Sequence, residues 1–111
     1  MEFVKKLSEM ACEEAADACK YAKLAVEHKA KHPTIAATFA ELATQELAHM
    51  DRLHAAAETL LAEKRANQVT DGSASAEAPF VRMDGVVAYL SEKQAEKATM
   101  TRVYLAQYKG A

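Results

Sequence analysis

Three side chains stand where a metal ion could use them: Glu14, Glu46 and His49. Glu46 and His49 are three residues apart, so on a helix they share one face and both can reach one ion. Glu14 falls within the apolar repeat of Leu7, Met10, Ala11, Ala18, Tyr21 and Ala25. Glu46 and His49 fall between Leu42 and Leu53 in a second repeat. A carboxylate on an apolar face is costly unless it is paired or bound to a cation. Glu13 shows the contrast, because it points to the flank of the same helix while Glu14 points inward. Carboxylate oxygen combined with imidazole nitrogen suits iron, manganese or zinc.

The elements that must hold these groups are long helices. Residues 2–31 read as one helix, stopped at His32-Pro33 because the residue before proline is pushed out of the α region. Thr34 is placed to cap a second helix over 35–66. That helix carries two apolar stripes, one with Ile35, Phe39, Leu42, Leu53, Ala57 and Leu60, the other with Ala36, Ala40, Ala43, Leu47, Met50 and Leu61. Two stripes imply two partners: helix 1, and either helix 3 or another chain. Counted from the Pro33 turn at 1.5 Å per residue, Glu14 lies roughly 28 Å back along one antiparallel helix. Glu46 and His49 lie roughly 20 and 24 Å along the other, so the three groups meet at one level.

Residues 67–84 hold Asn67, Asp71, Gly72, Ser73, Ser75 and Pro79 and read as a loop, long for a compact domain. A third helix over 85–109 is expected, capped by Asp84 and ended by Gly110. Its inward face is Val86, Val87, Leu90, Thr101, Tyr104, Leu105 and Tyr108, interrupted by Gln94 and Lys97, while Glu92 and Glu96 face solvent. The organisation expected is one domain: a two-helix metal-binding hairpin over 1–66, a loop over 67–84, and a covering helix within 85–111.

Composition agrees with an all-α fold. Of 111 residues, 25 are alanine, 3 glycine and 2 proline, too few turn formers for a β-sandwich or barrel. Net charge is −2, which argues against a nucleic-acid footprint. No apolar run is long enough to span a membrane, and Met1 to Leu7 lack a signal core, so a cytoplasmic chain is expected. Cys12 and Cys19 are two helical turns apart, about 10 Å of rise, too far for a disulfide within one helix.

The run Glu14-Ala-Ala-Asp-Ala-Cys-Lys-Tyr21, followed by Phe39, Ala43, Glu46 and His49 in an F-x-x-x-A-x-x-E-x-x-H pattern, resembles the first two helices of rubrerythrins. The resemblance covers roughly residues 7–60 and implies a ferritin-like di-iron carboxylate protein. Carried onto this sequence, it implies Glu14 as a terminal iron ligand, Glu46 as a bridging ligand, His49 as a ligand to one iron, and Tyr21 as a hydrogen-bond donor beside them. The chemistry implied is reaction of ferrous iron with oxygen or peroxide, as a ferroxidase or a peroxide reductase.

The departures are specific. There is no second Glu with Glu-x-x-His, residues 55–111 contain no histidine, and no Cys-x-x-Cys module is present. A two-fold homodimer, or a larger homo-oligomer, would supply the missing half: four Glu, two His and two irons per four-helix bundle. The arrangement is also similar to the encapsulin-associated ferritin-like proteins. The competing expectation is a metal-free helical bundle that acts through protein contacts.

Overall fold

A computed structural model describes residues 1–70 and 77–110, with side chains for all of these except 68–70 and 77–79. They form three helices, α1 (Glu2–His28), α2 (Pro33–Thr70) and α3 (Glu77–Tyr108). No strand occurs among the described residues, and no helix there is long and apolar enough to cross a membrane. The all-α expectation holds, and the helices form a bundle.

The helix ends differ from those expected. Pro33 is itself the first residue of α2, where its fixed φ suits the helix and its missing N–H costs nothing. The carbonyl of His32 accepts from Ala36 N–H at 2.9 Å, so Thr34 lies inside the first turn and is not the cap. Residues 67–70 and 77–84, expected as loop, are helical, and residues 71–76 lie outside the described residues. α3 therefore starts before Asp84, which pairs with Arg65 of α2 at 2.8 Å instead of capping a helix. The reason is Phe80. It is 5% exposed and packs with Val4, Ala57, Leu61 and Val87, so burial at the open end of the bundle draws the helix back through Pro79 to Glu77. At the other end Gly110 takes φ +82°, a left-handed conformation that stops α3 as expected.

Three core clusters show how the helices run. Val4 meets Ala57, Phe80 and Val87; Ala11 and Ala15 meet Met50 and Ala98; Ala22 meets Ala43 and Leu105. α2 is thus antiparallel to α1, and α3 is parallel to it. α3 packs chiefly on α1 and lightly on α2. The buried side of α1 is Val4, Ser8, Ala11, Ala15, Ala18, Cys19, Ala22 and Ala25, almost entirely small. Small side chains let helix axes approach at the short end of the usual 8–10 Å range. The result is a rod of 62 × 20 × 17 Å with a radius of gyration of 17.8 Å, against about 13 Å for a compact domain of this length. A rod this thin has no deep core, and each helix keeps an open flank.

The seam between α1 and α3 has a polar middle. Gln94 is 4% exposed and donates to the Ser8 carbonyl at 3.4 Å, and Cys12 Sγ donates to the Leu90 carbonyl at 3.3 Å. Burial pushes the Cys12 thiol above its ordinary value. A hydrogen bond with Gln94 pulls the other way, and the charges of Glu9 and Glu13 add to the rise. The folded chain therefore keeps this proton to higher pH than the unfolded chain does. Its contribution to stability is complete below the ordinary thiol range, about pH 9, and is lost above it. Denaturation from pH 7 to 10.5 should show the parent losing stability relative to Cys12→Ala only above about pH 9; a constant difference would contradict the burial argument.

The alanine seam gives a second expectation. Ala22, fully buried between α2 and α3, has no room for a larger side chain. Ala22→Leu should cost about 1–3 kcal/mol in urea unfolding. Ala16→Leu, on the exposed side of the same helix, should stay within about 0.5 kcal/mol of the parent.

Candidate metal centre

Glu14 comes from the middle of α1, and Glu46 and His49 from adjacent turns of α2. The close α1–α2 approach brings them together. His49 Nδ1 lies 3.5 Å from Glu46 Oε1 and 3.8 Å from Glu14 Oε2. One ligand atom from each residue lies within 4.8 Å of the other two. The convergence expected from counting residues is present.

These distances can be tested against a metal. Donor–metal bonds of about 2.1 Å place two donors at most about 4.2 Å apart, and about 3.4 Å at a tetrahedral angle. The two separations to His49 Nδ1, 3.5 and 3.8 Å, fall inside that limit, and the two carboxylates, within 4.8 Å of each other, need only a small side-chain adjustment to share an ion. They are too long for strong hydrogen bonds, so the imidazole does not clamp the two carboxylates by itself. The donor set of two carboxylates and one imidazole fits a divalent first-row ion and leaves further positions to other ligands.

Burial differs from the sequence expectation. Side-chain exposure is 29% for Glu14, 17% for Glu46 and 49% for His49, so the group sits on an open rim and not inside a core. The most buried side of α1 faces α2 and α3, and Glu14 lies just off it, in line with Phe3, Leu7, Met10, Tyr21 and Leu24. On α2 the matching line is Ile35, Phe39, Leu42, Leu53 and Leu60. These residues are half-buried or exposed, an apolar border on both sides of the polar group.

Comparisons with known protein families, with curated proteins and with solved structures find no match.

Tyr21 does not join the three ligands directly. Its ring stacks on Phe39 with centroids 6.0 Å apart and planes 16° apart, and among the described residues no hydrogen bond ties its hydroxyl to the group. Glu92 and Glu96 of α3 are exposed, Glu96 lying 3.8 Å from Lys93. His28 and His32 lie at the α1–α2 turn, their rings 5.9 Å apart. Cys12 and Cys19 are free.

One constellation was missed by sequence reasoning. His54 of α2 is half-buried against α3, where it meets Glu58 and Ser91. The His54–Glu58 spacing of four was a visible signal. The approach of Ser91 depends on how α3 is placed against α2, which no local pattern carries.

A cation that binds only the folded chain stabilises it by mass action. At 100 times its dissociation constant, a divalent ion should add about 2.7 kcal/mol. Thermal melts with Mn(II) or Zn(II) should show this rise in the parent and not in a Glu14→Gln/Glu46→Gln double variant. An equal rise in both would place the ion elsewhere.

Proposed function

We propose that this chain is a non-haem di-iron carboxylate protein of ferritin-like type, in which two copies build one metal centre from Glu14, Glu46 and His49 of each. The observation that carries the reading is the convergence of those three donors within 4.8 Å of one another, with both carboxylates within 3.8 Å of the imidazole. Bound iron would supply electron exchange with oxygen or peroxide, giving ferroxidase or peroxide-reducing chemistry.

The chain's own residues do the rest. Glu14 and Glu46 bring two negative charges to one point, which attracts a divalent cation and offsets much of its charge. His49 must present a neutral ring to ligate, so metal binding releases a proton wherever that ring is protonated beforehand. Its half-exposed position leaves the group open to a small oxidant, or to a second chain.

Two features call for a second chain. Three donors per chain are half of a di-iron ligand set. The rim around them is apolar at both ends, with Phe3 and Ile35 more than half exposed. A two-fold axis through the rim places the same residues opposite themselves, covering the apolar border and completing the donors in one step. The same face could pair two copies without metal, as a purely structural bundle, because the apolar border needs cover in either case.

Iron content and assembly separate these readings. Anaerobic loading with ferrous ion should give about one iron per chain, two per dimer, as the ligand count of the di-iron class requires. His49→Ala and Glu46→Ala should each abolish loading while the helices persist by circular dichroism. Phe39→Glu, which sets a charge in the apolar border, should lower dimer content in sedimentation and iron content together. A chain that stays monomeric while holding iron through these residues would rule out the shared site, and a dimer that never takes up iron would favour the structural reading.

A further inference from the structure

On the side of α2 away from the proposed metal centre, α2 and α3 flank a groove of about 640 Å³. Its floor is apolar, with Leu61, Ala62, Val87 and Ala88, and its volume is within the range of small-molecule sites. Three polar side chains on its wall form a chain. Ser91 Oγ lies 3.3 Å from His54 Nδ1, and His54 Nε2 lies 3.1 Å from Glu58 Oε1.

The proton positions follow from chemistry. A carboxylate only accepts, so the ring donates Nε2–H to Glu58. That leaves a lone pair on Nδ1, aimed at the Ser91 hydroxyl, in the tautomer a general base needs. The hydroxyl itself is unusual for a helix. Thr38, Thr44 and Thr101 each bond back to the carbonyl four residues earlier, whereas Ser91 turns to the imidazole of another helix. A nucleophile on a base, with the base oriented by an acid, is the recognised signature of an activated hydroxyl.

We propose that this groove is an acyl-transfer site for short-chain carboxylic esters, independent of the metal centre, with Ser91 as nucleophile, His54 as base and Glu58 as positioning residue. In the first step Ser91 Oγ bonds to the ester carbonyl carbon and its proton passes to His54 Nδ1. The bond from carbon to the alcohol oxygen breaks, and the alcohol leaves with that proton. Water then adds to the acyl carbon, giving a proton to His54. The bond to Ser91 Oγ breaks, the proton returns to Oγ, and the carboxylic acid departs. No redox partner is required.

The negative charge on the carbonyl oxygen needs a donor. Backbone N–H groups in the middle of α3 are used by the helix, so the donor must come from elsewhere. Arg65 lines the same groove, held by Asp84 at 2.8 Å and seated over the Phe80 ring at 5.1 Å. Its guanidinium is anchored at Asp84, about 10 Å along α3 from Ser91, so it attracts developing negative charge through its field, and water in the open groove supplies the hydrogen bond to the carbonyl oxygen.

Two probes test the site. Phenylmethylsulfonyl fluoride should form one adduct per chain, found on Ser91 by peptide mass spectrometry. His54→Gln should slow that labelling about 100-fold or more, the usual contribution of a general base. With p-nitrophenyl butyrate, Ser91→Ala should abolish turnover, and Glu58→Gln should lower kcat while leaving KM unchanged, since Glu58 acts through His54. Labelling of Ser91 in the native chain no faster than in the urea-unfolded chain would overturn the proposal, even if a variant failed to fold. Equal labelling of the parent and a folded His54→Gln would overturn it too.

Discussion

Close approach along the alanine side of α1 is the constraint on which the rest of this molecule depends. Five of the buried residues of α1 are alanine, and the helix presents them to both neighbours. Each alanine contributes little transfer free energy, roughly a third to a half of that of a leucine by area. What the seam supplies instead is proximity, because axis separation follows the side chains at the contact. Glu14 has a short reach, and so does His49. With leucines in the seam the two helices would stand further apart, and these side chains would not meet at 3.8 Å. The cost is a thin bundle with modest apolar burial, and its elongated shape shows it.

How far the sequence can be read depends on which interactions are local. The level at which Glu14, Glu46 and His49 meet needs only the rise per residue and the position of one turn, so counting places it. Helix existence is similarly local. The start of α3 is not: Pro79 argues for loop, and only the burial of Phe80 against Val4 and Leu61, far along the chain, overrides it. Thr34 fails as a cap for a related reason. Pro33 is tolerated at the first helical position and begins α2, while α1 has already ended at His28, short of the expected residue 31. The depth of the metal group is also set from outside its own helices. An apolar repeat shows that a face is wanted by something; it does not tell whether that something is another helix of the same chain.

α2 illustrates this ambiguity best. Its two stripes were rightly read as two faces. The stripe with Ala36, Ala43, Met50 and Leu61 is buried in the bundle. In the other stripe Ala57 is buried too, while Ile35, Phe39, Leu42, Leu53 and Leu60 border the Glu46–His49 rim. Within one turn or two, the same helix turns Glu46 and His49 to that rim and His54 and Glu58 to the groove with α3. A helix of 38 residues can carry polar groups on two sides that share backbone but no side chains.

The side on which α3 packs follows from the same polar groups. α1 offers α3 two flanks: one lined by Ser8, Cys12 and Ala15, the other by Glu14 and the border of larger apolar residues. The second is the richer in apolar area, and on hydrophobic grounds alone it would be preferred. The buried side of α3 is Val87, Gln94, Ala98, Thr101 and Leu105, which offers no cation. Laid over Glu14 and Glu46, that side would strip water from two carboxylates and return nothing, a penalty of several kcal/mol per ion. On the first flank Gln94 finds the Ser8 carbonyl and Cys12 finds the Leu90 carbonyl, so the polar middle of α3 is satisfied where it lies. The carboxylates thus act on the fold before any ligand arrives. They keep an intramolecular helix off the rim.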